Sequence, residues 1–247
     1  MLPHVFSGFP YVERFYSYTQ LGSTNEKAVH FSEIPEKGVF IFQTDSQSNS
    51  KGRSRKEQHS ETEGGLWVSI LQKRAGSSSQ FNHTRAISLA IVSSIKHFFP
   101  DAPLFLKWPD SILWGRKEIC SIQTENHHTT HSALVTGFAL NVNIFREALP
   151  AHLHSVTTSV LIETGKKIPL STLLRKVMES YMDFIEKAPQ ECHSLYCSLL
   201  SYQNERITIN TTEGIFKTIT IDGQAVIETG SGPETIEAGT IYNAEVV

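Results

Sequence analysis

Cysteine is scarce in this chain of 247 residues, and so is net charge. The three cysteines, Cys120, Cys192 and Cys197, form no CxxC pair and no even disulfide framework, which fits a reducing compartment with thiols filling the core. A formal charge of −3 argues against nucleic-acid binding by bulk electrostatics, duplex DNA included, while leaving room for a local phosphate site. No apolar run approaches the length needed to span a bilayer, and MLPHVFSGFPYVERFYSY lacks the basic start and apolar core of a secretory signal. The expectation is a cytoplasmic protein with neither membrane nor DNA as partner.

A second absence is local. From Thr44 to Gly65 there is no aliphatic or aromatic residue, and Lys51, Arg53, Arg55 and Lys56 crowd the first half. So long a loop inside a compact domain is either a functional lid or simply a disordered, solvated connection. Arginine forks suit phosphate and carboxylate oxygens, but Asp45, Glu57, Glu61 and Glu63 also suit a solvated mixed-charge loop. The apolar runs on either side, Gly38–Gln43 and Leu66–Leu71, read as buried strands and favour the lid.

What is present has clear periodicity. Ile87, Ile91, Ile95 and Phe98 predict an amphipathic helix over 81–98, and Leu170, Leu173, Leu174, Val177, Tyr181 and Ile185 predict a second, followed by a shorter piece around 191–200 after Pro189. Ahead of them, Gly22-Ser23-Thr24-Asn25 can cap a short helix, whose exposed N–H groups offer a place for a polar ligand group. Beyond Tyr202 short alternating segments separated by Glu213-Gly214 and Asp222-Gly223 read as a small barrel-like β module. Ser132–Asn143 is expected to be a strand, with Gly137 marking either a bulge or a close approach. Three histidines, His127, His128 and His131, share a polar turn, but without cysteine or carboxylate at ligand spacing no protein-held metal is expected.

The organising stretch is Leu104–Glu125, LFLKWPDSILWGRKEICSIQTE. Lys107-Trp108-Pro109-Asp110 interrupts an apolar run with a cation, a large ring, a fixed φ and an acid. Gly115-Arg116 then reads as the turn of a hairpin. Lys107, Asp110 and Lys117 therefore fall near strand ends, where a rigid frame can present them to a ligand. Taken alone, the stretch is better explained as a surface strand end with ordinary salt bridges.

Taken in order, Ser23-Thr24-Asn25, Gln47 with the basic glycine-containing loop, Lys107-Trp108-Pro109, Lys117-Glu118-Ile119 and Gly137 to Asn143 resemble the biotin protein ligases. The C-terminal GIFKTITIDGQAVIETG with Ile236-Glu237-Ala238-Gly239 is similar to their small C-terminal domain. The resemblance implies an α+β fold: a mixed, mostly antiparallel sheet flanked by helices over residues 1–201, as in lipoate ligases, then an SH3-like β domain over 202–247. It implies ATP-dependent activation of biotin to biotinyl-AMP, with Mg as the metal accompanying ATP, and transfer to a lysine of the biotin carboxyl carrier domain of acetyl-CoA carboxylase. Ser23, Thr24, Asn25 and Gln47 match biotin-binding positions, and the loop with Gly52, Arg53 and Arg55 matches the one that closes over the intermediate. Lys107, Trp108, Asp110, Gly137 and Asn141 complete the implied substrate contacts, with Lys117 and Arg53 as the catalytic cations. The residues ahead of Ser23 are too few for the helix-turn-helix domain of bifunctional members, so a monofunctional type is expected, with homodimer formation left open.

The sequence also departs from the family pattern. Ser50-Lys51-Gly52-Arg53-Ser54-Arg55-Lys56 loses two of three family glycines, Gln58 stands where an aromatic covers adenine, and Ser121 replaces a glycine. Counted without gaps from Lys107, Glu118 falls on the catalytic lysine position. Because side chains alternate along a strand, either a shorter turn brings Lys117 inward or a carboxylate faces the phosphates. Two alternatives follow: a ligase-like binding or interaction protein without adenylation, and a ligase for another acyl group such as lipoate.

Overall fold

A computed structural model describes residues 6, 9–33, 38–48, 63–73, 79–128, 132–237, 239 and 241–243. Seven strands form the main sheet: β1 (Arg14–Leu21), β2 (Gly38–Gln47), β3 (Leu66–Lys73), β4 (Leu104–Lys107), β5 (Ser111–Trp114), β6 (Lys117–His128) and β7 (Ser132–Leu140). Their order across the sheet is β1-β2-β3-β7-β6-β5-β4. Only β1 and β2 run parallel; every other neighbouring pair is antiparallel. The expected α+β architecture is thus present. Every residue of β3 is buried, as its place among apolar neighbours on both faces requires.

One face of this sheet carries helices. Helix α2 (Gln80–Phe98) lies between the sheet and α4 (Leu170–Glu186), and almost all of its middle is buried. Helix α4 is buried along the stripe Leu173, Leu174, Val177, Met178, Tyr181 and Met182. The shorter α5 (Pro189–Ser198) begins, rather than breaks, at its proline, which occupies the first turn where no N–H partner is lost. On this side Ile41, Val68, Phe138 and Ile122 join the helices in one continuous core.

The opposite face holds two smaller apolar clusters. In one, Ala28 of α1 (Thr24–Phe31) packs on Phe40, Phe42, Leu71 and Val135. In the other, Trp67 meets Ile144 and Leu149, with Ala139 and Ile162 of α3 (Val160–Thr164) beside them. Cross-strand register sets what lies between: Phe42, Ser69, Gly137 and Gln123 stand side by side, as do Thr44, Trp67, Ala139, Ser121 and Ser111 in the next row. A polar strip therefore runs between two apolar pads.

A second sheet of five antiparallel strands follows: β8 (Arg206–Ile209), β9 (Thr212–Ile219), β10 (Ala225–Thr229), β11 (Gly232–Ile236) and β12 (Ile241–Asn243). Its Ile207, Ile209, Phe216, Ala225 and Ile227 continue the main core.

Several expectations change. Thr44–Gln47 belongs to β2 rather than to the polar loop, because its backbone pairs with β1 as far as Gln47. The strand expected over Ser132–Asn143 ends at Leu140. Strand β1, with its mixture of aromatic and polar residues at the sheet edge, has no counterpart among the predicted strands. Among the described residues no group of three His, Cys, Asp or Glu gathers to hold a metal, and no helix is long and apolar enough to cross a membrane.

The three thiols occupy graded environments. Cys120 is fully buried, and burial, the charge of Glu118 and that of Asp110 push its thiol well above the usual range. Cys192 is buried and raised mainly by desolvation, whereas Cys197 is half-buried. Since only the thiolate alkylates readily, iodoacetamide at pH 8 is expected to label Cys197 first, Cys192 more slowly and Cys120 only on unfolding. A mapped time course with Cys120 modified early would contradict this placement.

Candidate functional site

The site is built where α1 meets the polar strip. Ser23 caps the helix in extended conformation, its Oγ accepting from the Glu26 N–H at 3.3 Å. The next residue turns back to the sheet: the Thr24 N–H and Oγ1–H both donate to Gln47 Oε1, at 2.8 and 3.1 Å. Thr24 Oγ1 in turn accepts from Ser69 Oγ at 2.7 Å, and Ser69 Oγ lies 2.5 Å from Asn25 Oδ1. One hydroxyl proton serves only one acceptor at a time. Ser69 and Thr24 are fully buried or nearly so, so leaving any member without a partner costs about 1–3 kcal/mol.

Gly137 makes the arrangement sterically possible. A side-chain carbon at this position would overlap the Asn25 amide. The register of β7 is continuous on both sides of Gly137. Close approach, and not a bulge, accounts for this glycine. Thr24, Asn25 and Gln47 thus join one hydrogen-bonded cradle, with Ser23 capping its helix and Gly137 making room for it. Ser69 belongs with them and was missed, although it interrupts the otherwise apolar LWVSIL with a single hydroxyl.

A bulge occurs in β6 instead. Opposite Ile112 and Leu113, the register passes from Cys120 to Glu118, so Ile119 is the extra residue. Glu118 then shares a face with Ser111, whose Oγ donates to Glu118 Oε2 at 2.8 Å. Ser111 lies opposite Ser121 in the second row of the strip. The Glu118 side chain is therefore turned to the face that carries Ser111. Lys117 is not excluded from the neighbourhood. It lines a shallow hollow with Arg146, His154, Thr157 and Ile162, beside the pad formed by Trp67 and Leu149. His154 Nε2 donates to the Leu149 carbonyl at 2.8 Å, so the proton of the neutral ring resides there. Arg146 and His154 lie in a segment that the sequence left unassigned. Two 3₁₀ turns, Arg146–Ala148 and Ala151–Leu153, and the pairing of Glu118 with 156–158 give it form.

Other expected residues take different places. Asn141 Nδ2 donates to the Thr158 carbonyl at 3.1 Å and its N–H to Ile119 at 2.8 Å, pinning this segment to the bulge. The Lys107 ammonium lies 6.0 Å from the Tyr202 ring centre. Asp110 accepts at its carbonyl from the Ile122 N–H, and its charge reaches Cys120 together with that of Glu118. Trp108 is 1% exposed and buried in the core, with its indole N–H donated to Gly223 at 2.7 Å. Gly52, Arg53 and Arg55 lie outside the described residues.

No protein-family model matches the sequence. Among curated proteins the chain is 24% identical over 243 residues to the bifunctional ligase/repressor BirA of Bacillus spizizenii, covering 93% of this chain and 72% of that one. Among solved structures, biotin protein ligase from Aquifex aeolicus in complex with biotin and ATP superposes with a TM-score of 0.77 at 21% identity, covering 95% of this chain and 98% of that chain. A single-residue mutant of the same Aquifex ligase, in complex with biotin, gives 0.80 at 21% identity, with 93% and 97% covered. The chain shares the fold of these biotin protein ligases. On that fold the cradle sets α1 against β3 and β7, and Glu118 stands at the bulge of β6.

Gly137→Ala isolates the close approach on which the cradle depends. The added methyl must expel Asn25, and urea denaturation is expected to report a loss of about 1–3 kcal/mol, typical of overpacking. An unchanged midpoint would mean that Asn25 is not held there.

Proposed function

We propose that this chain activates biotin with ATP and passes the biotinyl group to a lysine of a biotin carboxyl carrier protein. The observation that carries the reading is the buried hydrogen-bonded cradle of Thr24, Asn25, Gln47, Ser69 and Gly137, set on a fold shared with a ligase whose complex holds biotin and ATP. The cradle offers donors and acceptors to the polar end of biotin, and the apolar pads on either side suit its carbon frame.

The chemistry asks for charge neutralisation and exclusion of water. An oxygen of the biotin carboxylate forms a bond to the α-phosphorus. The bond from that phosphorus to the bridging oxygen breaks, and pyrophosphate leaves with the electron pair. The acceptor lysine, as free amine, then attacks the acyl carbon; AMP leaves, and the amine proton passes to solvent. Cations near the α-phosphate lower the first barrier because negative charge builds up there. Lys117 is the described cation nearest the bulge, with Arg146 lining the same hollow; Arg53 and Arg55 are proposed to add to them from the loop. Magnesium, arriving with the nucleotide, would meet Asp110 and Glu118, whose charges both act on Cys120.

Glu118 also favours a second reading. A carboxylate held toward the strip by Ser111 repels an acyl phosphate, as expected of a ligase-like binding protein that has lost adenylation. Calorimetric titration with biotin, then biotin plus MgATP, with mass spectrometry of the bound species, separates the two. Biotinyl-AMP and pyrophosphate support the ligase. Tight biotin binding without adenylate supports the binding protein, and binding of neither ligand would refute both.

If the ligase reading holds, restoring a cation is expected to help. Glu118→Lys should raise the adenylation rate about tenfold or more, and Lys117→Ala should lower it by a similar factor, as charge placement at a phosphoryl centre dictates. Equal pyrophosphate release from all three proteins would remove both residues from the chemistry.

A further inference from the structure

Trp108 follows directly on β4, yet its partner belongs to the second sheet. The acceptor of its indole N–H, Gly223, sits in the turn joining β9 to β10 at φ +91°, and a side chain there would penetrate the Phe81 ring. This turn is closed on itself: Gly223 N–H donates to Thr220 O at 2.9 Å, Thr220 N–H to Gln224 O at 2.8 Å, and Gln224 N–H to Thr220 Oγ1 at 3.1 Å. A second core side chain grips it from α2. Arg85, 1% exposed, donates from Nη1 to the Ile221 carbonyl at 3.1 Å and from Nη2 to Asn82 Oδ1 at 2.6 Å.

The same end of the hairpin is tied elsewhere. Leu106 N–H donates to Leu199, and Ser201 N–H returns a bond to Leu106, both at 2.8 Å. At the next turn, Arg116 forms a bidentate pair with Glu205 at 2.8 and 3.2 Å and lies 4.9 Å from the Tyr202 ring centre. The exposed Arg116 pair contributes little, since such pairs are worth about 0–1 kcal/mol. The buried indole bond is different, because losing it leaves the Gly223 carbonyl without its partner in the core. Both turns of the hairpin thus rest on residues 199–224, and those turns carry Lys107, Asp110 and Lys117.

We infer that Trp108 is a positioning residue: its indole fixes the β9–β10 turn against the hairpin and so sets where Lys107, Asp110 and Lys117 stand. It would then act on nucleotide chemistry through the second sheet without touching a ligand. The inference deepens the ligase reading, and its structural half can be measured without it.

Trp108→Phe keeps a ring in place and removes the donor, while Thr220→Ala loosens the turn from the other side. Hydrogen–deuterium exchange is expected to rise at least tenfold in peptides spanning 104–118 in both variants, and to stay unchanged in β3 and α1. In adenylation assays kcat should fall about tenfold, with KM for biotin unmoved. Raised exchange with unaltered kcat would leave Trp108 a purely structural residue and overturn the proposal. Unaltered exchange in both variants would overturn it at the first step. Should the unmodified protein release no pyrophosphate, the ligase reading falls, and the exchange data alone decide whether the indole fixes the hairpin.

Discussion

The two hydrogen bonds from Thr24 to the Gln47 side chain hold the start of α1 against the sheet, and they form because Gly137 leaves room for Asn25 beside them. Much else on that face follows from this contact. It fixes which end of α1 meets the polar strip, so that Ala28 falls on Phe40, Phe42 and Leu71. It also turns Ser69, buried within an apolar strand, from a desolvated hydroxyl into a bonded one. A buried polar group is tolerated only when its partners are present. The cradle is therefore cooperative, each member supplying another's missing partner.

Charge is managed differently on the two sides of the hairpin. Toward the second sheet, cations lie over rings: Lys107 and Arg116 share Tyr202, and Arg85 lies over Phe81 at 5.5 Å. Burial lowers the Arg85 pKa from its usual value, an effect that the neighbouring acidic groups only partly offset. Toward the strip, by contrast, Glu118 accepts from Ser111, and its charge and that of Asp110 help to raise the Cys120 pKa.

Sequence reading recovered the elements whose burial shows as a pattern. Strands β2 and β3, helices α2 and α4 and the central hairpin carry apolar runs or helical spacing strong enough to identify them. Strand β1 does not, because RFYSYTQL at a sheet edge is buried only in part. The segment from Ile144 to Ser159 escaped for another reason. Its Val156 and Thr158 exchange backbone bonds with Glu118, and no local signal encodes a partner so distant in the chain. Motif order singled out Thr24, Asn25, Gln47 and Gly137, which the fold brings together, but Trp108 shows the limit of motifs. Its place in Lys107-Trp108-Pro109 suggests a ligand contact, whereas its N–H is used by a turn that only the fold brings near. The same holds for the bulge at Ile119, which no spacing within LWGRKEICS announces.

The strand order has a bearing on synthesis. Strand β3 lies between β2 and β7, so a ribosome that has delivered only the first three strands and their helix has made a sheet with one central edge exposed. Such an edge offers unpaired backbone groups to any other chain. It is covered only once β7 has emerged, and pairings this far apart in sequence form slowly. The nascent chain then waits again, with the indole N–H of Trp108 buried or hydrated but without its acceptor, until the turn at Gly223 leaves the exit tunnel. The acceptor of that indole lies 115 residues beyond its donor.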